Sequence, residues 1–310
     1  MKNKRFLADS ILLIVALIWG TTFVMVQNAI SILLPHSFNG IRFALASLIL
    51  FPIILMIDRN SFTSLGKRGW IAGTLLGVFL FGGYAFQTVG LLYTSASKAG
   101  FITGLNVVLV PIFSILLLKV LPKWPTILGS ILAAVGLYLL TMVETSSIQF
   151  GDFLIFMCAI FFALQIVFTG KYAPNYPTLP LAWIQISVVA ILSLIFAFLF
   201  EDFTHQVILG VILQKEVLFA LFITAVFATT FAFVAQTMLQ TYTTSTRVAI
   251  IFSMEPVFAA LTSYLIQNER LTSFAIIGGL FIILGMILAE IPPEAFANKI
   301  RFKSKRNDLV

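Results

Sequence analysis

The sequence predicts an all-α polytopic membrane protein: ten transmembrane helices in two inverted five-helix repeats, with the N- and C-termini cytoplasmic. Three observations carry that prediction. Of 310 residues, 60% are hydrophobic and only 10% charged, whereas a soluble domain carries about a quarter charged residues. The apolar residues gather in runs of about twenty, the length a helix needs to cross the hydrocarbon core. Polar residues then recur at matching places in the two halves of the chain.

The apolar runs fall at about 10–32, 36–57, 69–92, 97–118, 124–142, 152–170, 180–200, 217–240, 246–266 and 272–290, and are called segments 1 to 10 below. Charges and turn residues separate them, as in Asp58-Arg59-Asn60, Lys119 to Pro125 and Asn268-Glu269-Arg270. Lipid offers no partner to an open backbone, and alternating strands of about ten residues are absent, so the segments are expected to be helices. The start, MKNKR before an apolar run, lacks a small-residue cleavage site and reads as the first membrane helix.

Positive residues favour the cytoplasmic side of membrane helices. With the N-terminus inside, the inner connections and ends hold fifteen Lys and Arg, among them Lys4, Arg5, Lys67, Arg68, Arg247 and Lys303. The outer connections hold three: Lys98, Lys215 and Arg270. Trp70 and Trp124 then begin segments 3 and 5 at the inner interface, which suits indole rings. The basic tail after Pro293 is read as solvated.

Several function classes are excluded or weakened. The net charge of +7 lies between apolar runs and at the ends, so nucleic acid is not an expected partner. The single cysteine, Cys158, allows no intramolecular disulfide. His36 and His205 lie apart with no cysteine cluster, so no metal site is expected. There is no Walker motif to use ATP and no compact catalytic cluster, so neither a cofactor nor an enzymatic reaction is expected.

Segments 3 to 5 lie over segments 8 to 10 at a constant offset. QTVGLLYTSASKA (87–99) aligns without gaps to QTMLQTYTTSTRV (236–248), matching Gln87 to Gln236, Tyr93 to Tyr242 and Lys98 to Arg247. Gly129 and Gly136 match Gly278 and Gly285. At a slightly shorter offset Asp9 matches Asp152, and Arg42 falls on Gln185. Five helices per half is an odd number, so the second half enters the membrane reversed. Inverted repeats of this kind mark secondary transporters, whose site lies near the midplane between the halves.

These residues carry a resemblance. Two five-helix halves, Ala16-Leu17-Ile18-Trp19-Gly20-Thr21-Thr22-Phe23, Arg42-Phe43, and Glu255-Pro256-Val257-Phe258-Ala259-Ala260 followed by Glu269-Arg270-Leu271 resemble the EamA family of the drug/metabolite transporter superfamily. The resemblance implies a first repeat over 8–143, a second over 150–291 and a basic cytoplasmic tail over 292–310. It implies export of amino acids or other small metabolites without ATP. One departure is visible: the first-half proline, Pro111, lies five residues after Asn106, whereas Pro256 directly follows Glu255.

The polar residues inside segments are the candidate pathway. An intramembrane charge costs about 2.5–3.5 kcal/mol on insertion scales, so it faces a partner or water. Arg42 and Glu255 are the two charges well inside segments. Glu255, in IIFSMEPVFAALTSYL (250–265), reads as a proton or cation site. The slightly favoured reading is a structural acid, paired with Arg42 or bonded to backbone freed at Pro256. Tyr84 and Gln87 share a face of segment 3 with Gly73 and Gly77, and Thr103 and Asn106 share one of segment 4 with Ala99. Phe252 and Glu255 do so in segment 9, and Gln236 and Gln240 in segment 8. Singly, such amides are interhelical glue. Together they could line a central cavity with aromatic walls from Trp19, Tyr84, Phe101 and Phe252, while Gln165 and Gln185 are weaker candidates.

GSILAAVG (129–136) and GGLFIILG (278–285) are small and apolar, and read as packing or homodimer surfaces of segments 5 and 10. The expected partners are therefore a small-molecule substrate and membrane lipid, while these faces leave both a monomer and a homodimer through segments 5 and 10 open. The expected function is secondary active or facilitative export of small metabolites such as amino acids across the cytoplasmic membrane, by alternating access around a central cavity. A drug or toxic-cation exporter and a lipid-linked carrier flippase are the alternatives.

Overall fold

The computed structural model describes residues 2–141, 149–208, 210–267 and 272–291. The sequence Glu269-Arg270-Leu271 and the basic tail at 292–310 lie outside the described residues. Among the described residues every regular element is helical. Seven of these helices are long and apolar enough to cross a membrane, and Trp124–Leu140 and Ser273–Ala289 are shorter apolar helices. The chain is a polytopic helical membrane protein.

Three segments are not continuous α-helices. Segment 4 is two helices, Ala96–Gly104 and Asn106–Leu118. Segment 9 is likewise two, Ser245–Phe252 and Glu255–Gln267. The breaks fall on repeat-matched positions, so Asn106 and Glu255 each begin the second helix. Each first helix is capped alike: Ser95 accepts a hydrogen bond from the Lys98 backbone N–H, and Thr244 from that of Arg247. Pro256 suits the opening turn of a helix, where its missing N–H would have no partner anyway. Pro111 sits inside its helix instead. Segment 8 runs Lys215–Ile223, then a π-helix at Thr224–Phe231, then Ala232–Leu239.

Packing follows the repeat. Segment 3 lies against segments 6 and 7, and segment 8 against segments 1 and 2. Segments 2 and 7 pack on each other, and so do segments 5 and 10. The last contact explains its glycines. A Cβ on Gly136 would meet the Gly278 carbonyl at 2.5 Å, and one on Gly129 would meet the Gly285 carbonyl at 2.5 Å. The glycine faces of segments 5 and 10 are thus filled by each other within one chain.

The face expected on segment 3 divides. Gly73 and Gly77 admit Ile184 and Val188 of segment 7, while Tyr84 and Gln87 turn to the centre of the molecule.

Candidate functional site: a central cavity shared by the two halves

A cavity lies between the halves. Its lining follows the internal repeat. Trp19 and Phe162 are repeat mates, as are Thr22 and Gln165, and Phe23 and Ile166. Tyr84 pairs in the same way with Phe233, Gln87 with Gln236, Thr103 with Phe252, and Asn106 with Glu255. Val26, Arg42, Leu80 and Leu91 complete the wall. The halves therefore contribute the same backbone positions with different chemistry. The position that carries an amide at Asn106 carries an acid at Glu255.

Glu255 owes its place to the break in segment 9. As the first residue of the helix Glu255–Gln267, it sits where unpaired backbone N–H groups favour negative charge. Gly20 brings segment 1 against this break, since a Cβ there would stand 2.5 Å from the Glu255 carbonyl. The Glu255 carboxylate lines the cavity and forms no ion pair within 4.0 Å and no hydrogen bond among the described residues. The pairing with Arg42 that the sequence allowed is therefore not made.

Arg42 is held elsewhere. Its Nε donates to Thr229 Oγ1 at 2.7 Å, and its Nη2 to the Ala228 carbonyl at 3.3 Å and the Tyr84 hydroxyl at 3.4 Å. The guanidinium also lies 4.9 Å from the Tyr84 ring centre and 5.3 Å from that of Phe43, within cation–π range. Both Thr229 and Ala228 belong to the π-helix of segment 8. A π-helical stretch displaces carbonyls from the regular ladder, and such stretches are frequent at functional sites. The Ala228 carbonyl also accepts from Trp19 Nε1 at 2.8 Å. Trp19 in turn packs edge-on against Phe252 at 4.8 Å and against Phe233 at 5.6 Å.

An amide relay closes the opposite wall. Gln236 Nε2 donates to Gln165 Oε1 at 2.9 Å, Gln165 Nε2 to Gln185 Oε1 at 3.0 Å, and Gln185 Nε2 to Thr237 Oγ1 at 2.9 Å. This ties segments 6, 7 and 8 together. Two buried acceptors at the cavity, Asn106 Oδ1 and Gln236 Oε1, have no hydrogen-bond partner among the described residues. A buried acceptor left unpaired carries a desolvation cost that a bound donor would relieve.

Ten of the twelve residues expected from the sequence line the cavity: Trp19, Arg42, Tyr84, Gln87, Thr103, Asn106, Gln165, Gln236, Phe252 and Glu255. Gln185 stands behind the wall, holding Gln165. Phe101 packs into the apolar cluster around Val107 and Leu137 instead. Gln240, expected beside Gln236, donates to the Ile166 carbonyl and to Ser245 at 3.1 Å. Thr22, Phe162 and Phe233 were not singled out by the sequence. The signal for them was the repeat itself: each is the mate of a residue that was.

The comparisons with known proteins agree with this architecture. An uncharacterized transporter of Archaeoglobus fulgidus is 39% identical over 291 residues, covering 93% of this chain and 87% of that protein. The uncharacterized transporter YyaM of Bacillus subtilis is 26% identical over 281 residues, covering 87% and 89%. A solved crystal structure that is 17% identical superposes with a TM-score of 0.74 over 91% of this chain and 96% of that one, which shows the shared fold. The EamA-like transporter family matches residues 6–142 and again residues 149–290. The chain belongs to the EamA-like transporter family.

Proposed function

We infer that the protein is a secondary exporter of small metabolites such as amino acids, working by alternating access around the central cavity. In this reading ten segments cross the cell membrane, with both termini on the basic, cytoplasmic side. The observation that carries it is the presence of Arg42 and Glu255, unpaired with each other, in the wall of one aromatic-lined cavity. A guanidinium suits a carboxylate. Glu255, in a wall it shares with Asn106 and Gln236, suits an ammonium group. The rings of Trp19, Tyr84, Phe162, Phe233 and Phe252 suit an apolar body.

Export of an organic cation is the second reading. The three hydrogen bonds of Arg42 favour it, since they leave Glu255 as the less engaged charge. A homodimer through segments 5 and 10 would use their lipid-facing sides, because their glycine faces are occupied.

Flux in proteoliposomes tests the reading, with a panel of amino acids and organic cations and with or without a pH gradient. Amino-acid flux that falls in both Arg42→Gln and Glu255→Gln supports it. Flux of cations alone, lost only in Glu255→Gln, favours the second reading. No flux of any tested compound by folded protein counts against both.

A further inference from the structure

Two ion pairs stand outside the cavity. Arg247 Nη2 lies 3.0 Å from Asp9 Oδ2, and Lys98 Nζ lies 3.3 Å from Asp152 Oδ2. Asp9 and Asp152 are repeat mates, and so are Arg247 and Lys98. Each pair therefore joins the capped first helix of segment 4 or 9 in one half to the opening segment of the other half.

The pairs lie at opposite ends of the molecule. Asp9 is near the start of segment 1. Ile30, at the far end of that helix, packs in one cluster with Ala99 and Ile155, neighbours of Lys98 and Asp152. A helical rise of 1.5 Å per residue puts Asp9 and Ile30 about 30 Å apart. Trp19, Thr22, Phe23 and Val26, which line the cavity, lie between them.

We propose that Asp9–Arg247 and Lys98–Asp152 are the two latches of the cavity, one for each end, and that they open alternately. The proposal rests on the transport reading above. A buried ion pair adds little net stability, because desolvation offsets attraction; apolar side chains would clamp the ends as well. What an ion pair adds is a second stable state. When one end parts, water enters and solvates both charges, so release is far less costly than in a dry interior. The matched arrangement gives the two ends the same device. Each latch cation lies eight residues before the break at Asn106 or Glu255, so a ligand at the break acts on the latch through one short rigid helix.

Spin-label distances test this in full-length protein reconstituted in bilayers, with Cys158→Ala as the parent. One label pair replaces exposed Leu92 and Phe153 at the Lys98 end, and another replaces exposed Phe6 and Tyr242 at the Asp9 end. Lys98→Gln is expected to raise the long-distance population of the Leu92–Phe153 pair about tenfold and leave the Phe6–Tyr242 pair unchanged. Asp9→Asn is expected to do the reverse. Asp152→Asn, which keeps an acceptor for the Thr94 hydroxyl and the Gln149 N–H, is expected to act as Lys98→Gln does, and replaces it if that variant fails to fold. Parent distances in both single variants, or both label pairs lengthening together in either, overturn the proposal. Flux measured on the same samples separates the two readings: flux without the opposite shifts sinks the latches alone. Opposite shifts without flux of any compound sink the transport reading and leave the latches standing.

Discussion

Arg42 and Thr229 are joined by a 2.7 Å hydrogen bond between residues 187 apart in the sequence. Thr229 lies in the π-helical turn of segment 8, and the carbonyl beside it, that of Ala228, holds both Arg42 and Trp19. A local departure from α-helical geometry in one half thus fixes two cavity groups supplied by the other half.

Thr229→Val keeps the shape of the side chain and removes the acceptor. A hydrogen bond to a charged group contributes about 1.5–3 kcal/mol, and the Arg42 guanidinium would keep its other contacts. The expected outcome is folded protein with a lower melting temperature and at least a severalfold loss in substrate affinity, read as a rise in KM of flux. Unchanged KM would show that Arg42 needs no fixing at Nε.

Trp19→Phe separates the indole bond from the ring contacts. The packing on Phe252 and Phe233 is largely kept, and the bond to the Ala228 carbonyl is lost. Thermal stability should fall by about 1 kcal/mol, the usual net worth of one hydrogen bond. Trp19→Ala, which also opens the wall of the cavity, should abolish flux. Equal flux in the two variants would place the ring outside the pathway.

Gln165→Leu breaks the amide relay at its middle, freeing both Gln236 Nε2 and Gln185 Oε1. Interhelical hydrogen bonds in membranes average about 0.6 kcal/mol, so two of them do not decide folding. The variant should fold and melt within a few degrees of wild type, yet lose transport, because Gln236 is no longer oriented. A large fall in melting temperature with normal flux would make the relay purely structural.

Gly136→Leu tests the contact between segments 5 and 10, with no bearing on the cavity. Its side chain would start 2.5 Å from the Gly278 carbonyl, a backbone atom that cannot swing aside. Overpacking of this kind typically costs about 1–3 kcal/mol. Detergent melting curves should show the loss, and substrate affinity of the surviving folded fraction should be unchanged.

By itself the sequence determined that lipid is the solvent, that the backbone is helical and that the chain repeats itself. Each follows from a one-dimensional pattern: run length, the want of backbone partners in lipid, and matched polar residues at a constant offset. It also marked most of the cavity, because Arg42, Glu255 and the amides are too polar to face lipid. The tertiary structure decided which partner each of them takes. Arg42 turned to Thr229 rather than to Glu255, since the π-helix of segment 8 offered acceptors at hydrogen-bond distance. Phe101 left the cavity for the apolar cluster, and Gln185 became a support, because one helical face can meet a neighbouring helix as readily as a cavity. The answer for Glu255 was also tertiary. A break that no periodicity reveals makes it the first residue of a new helix, where an acid can face the cavity beside unpaired backbone N–H groups.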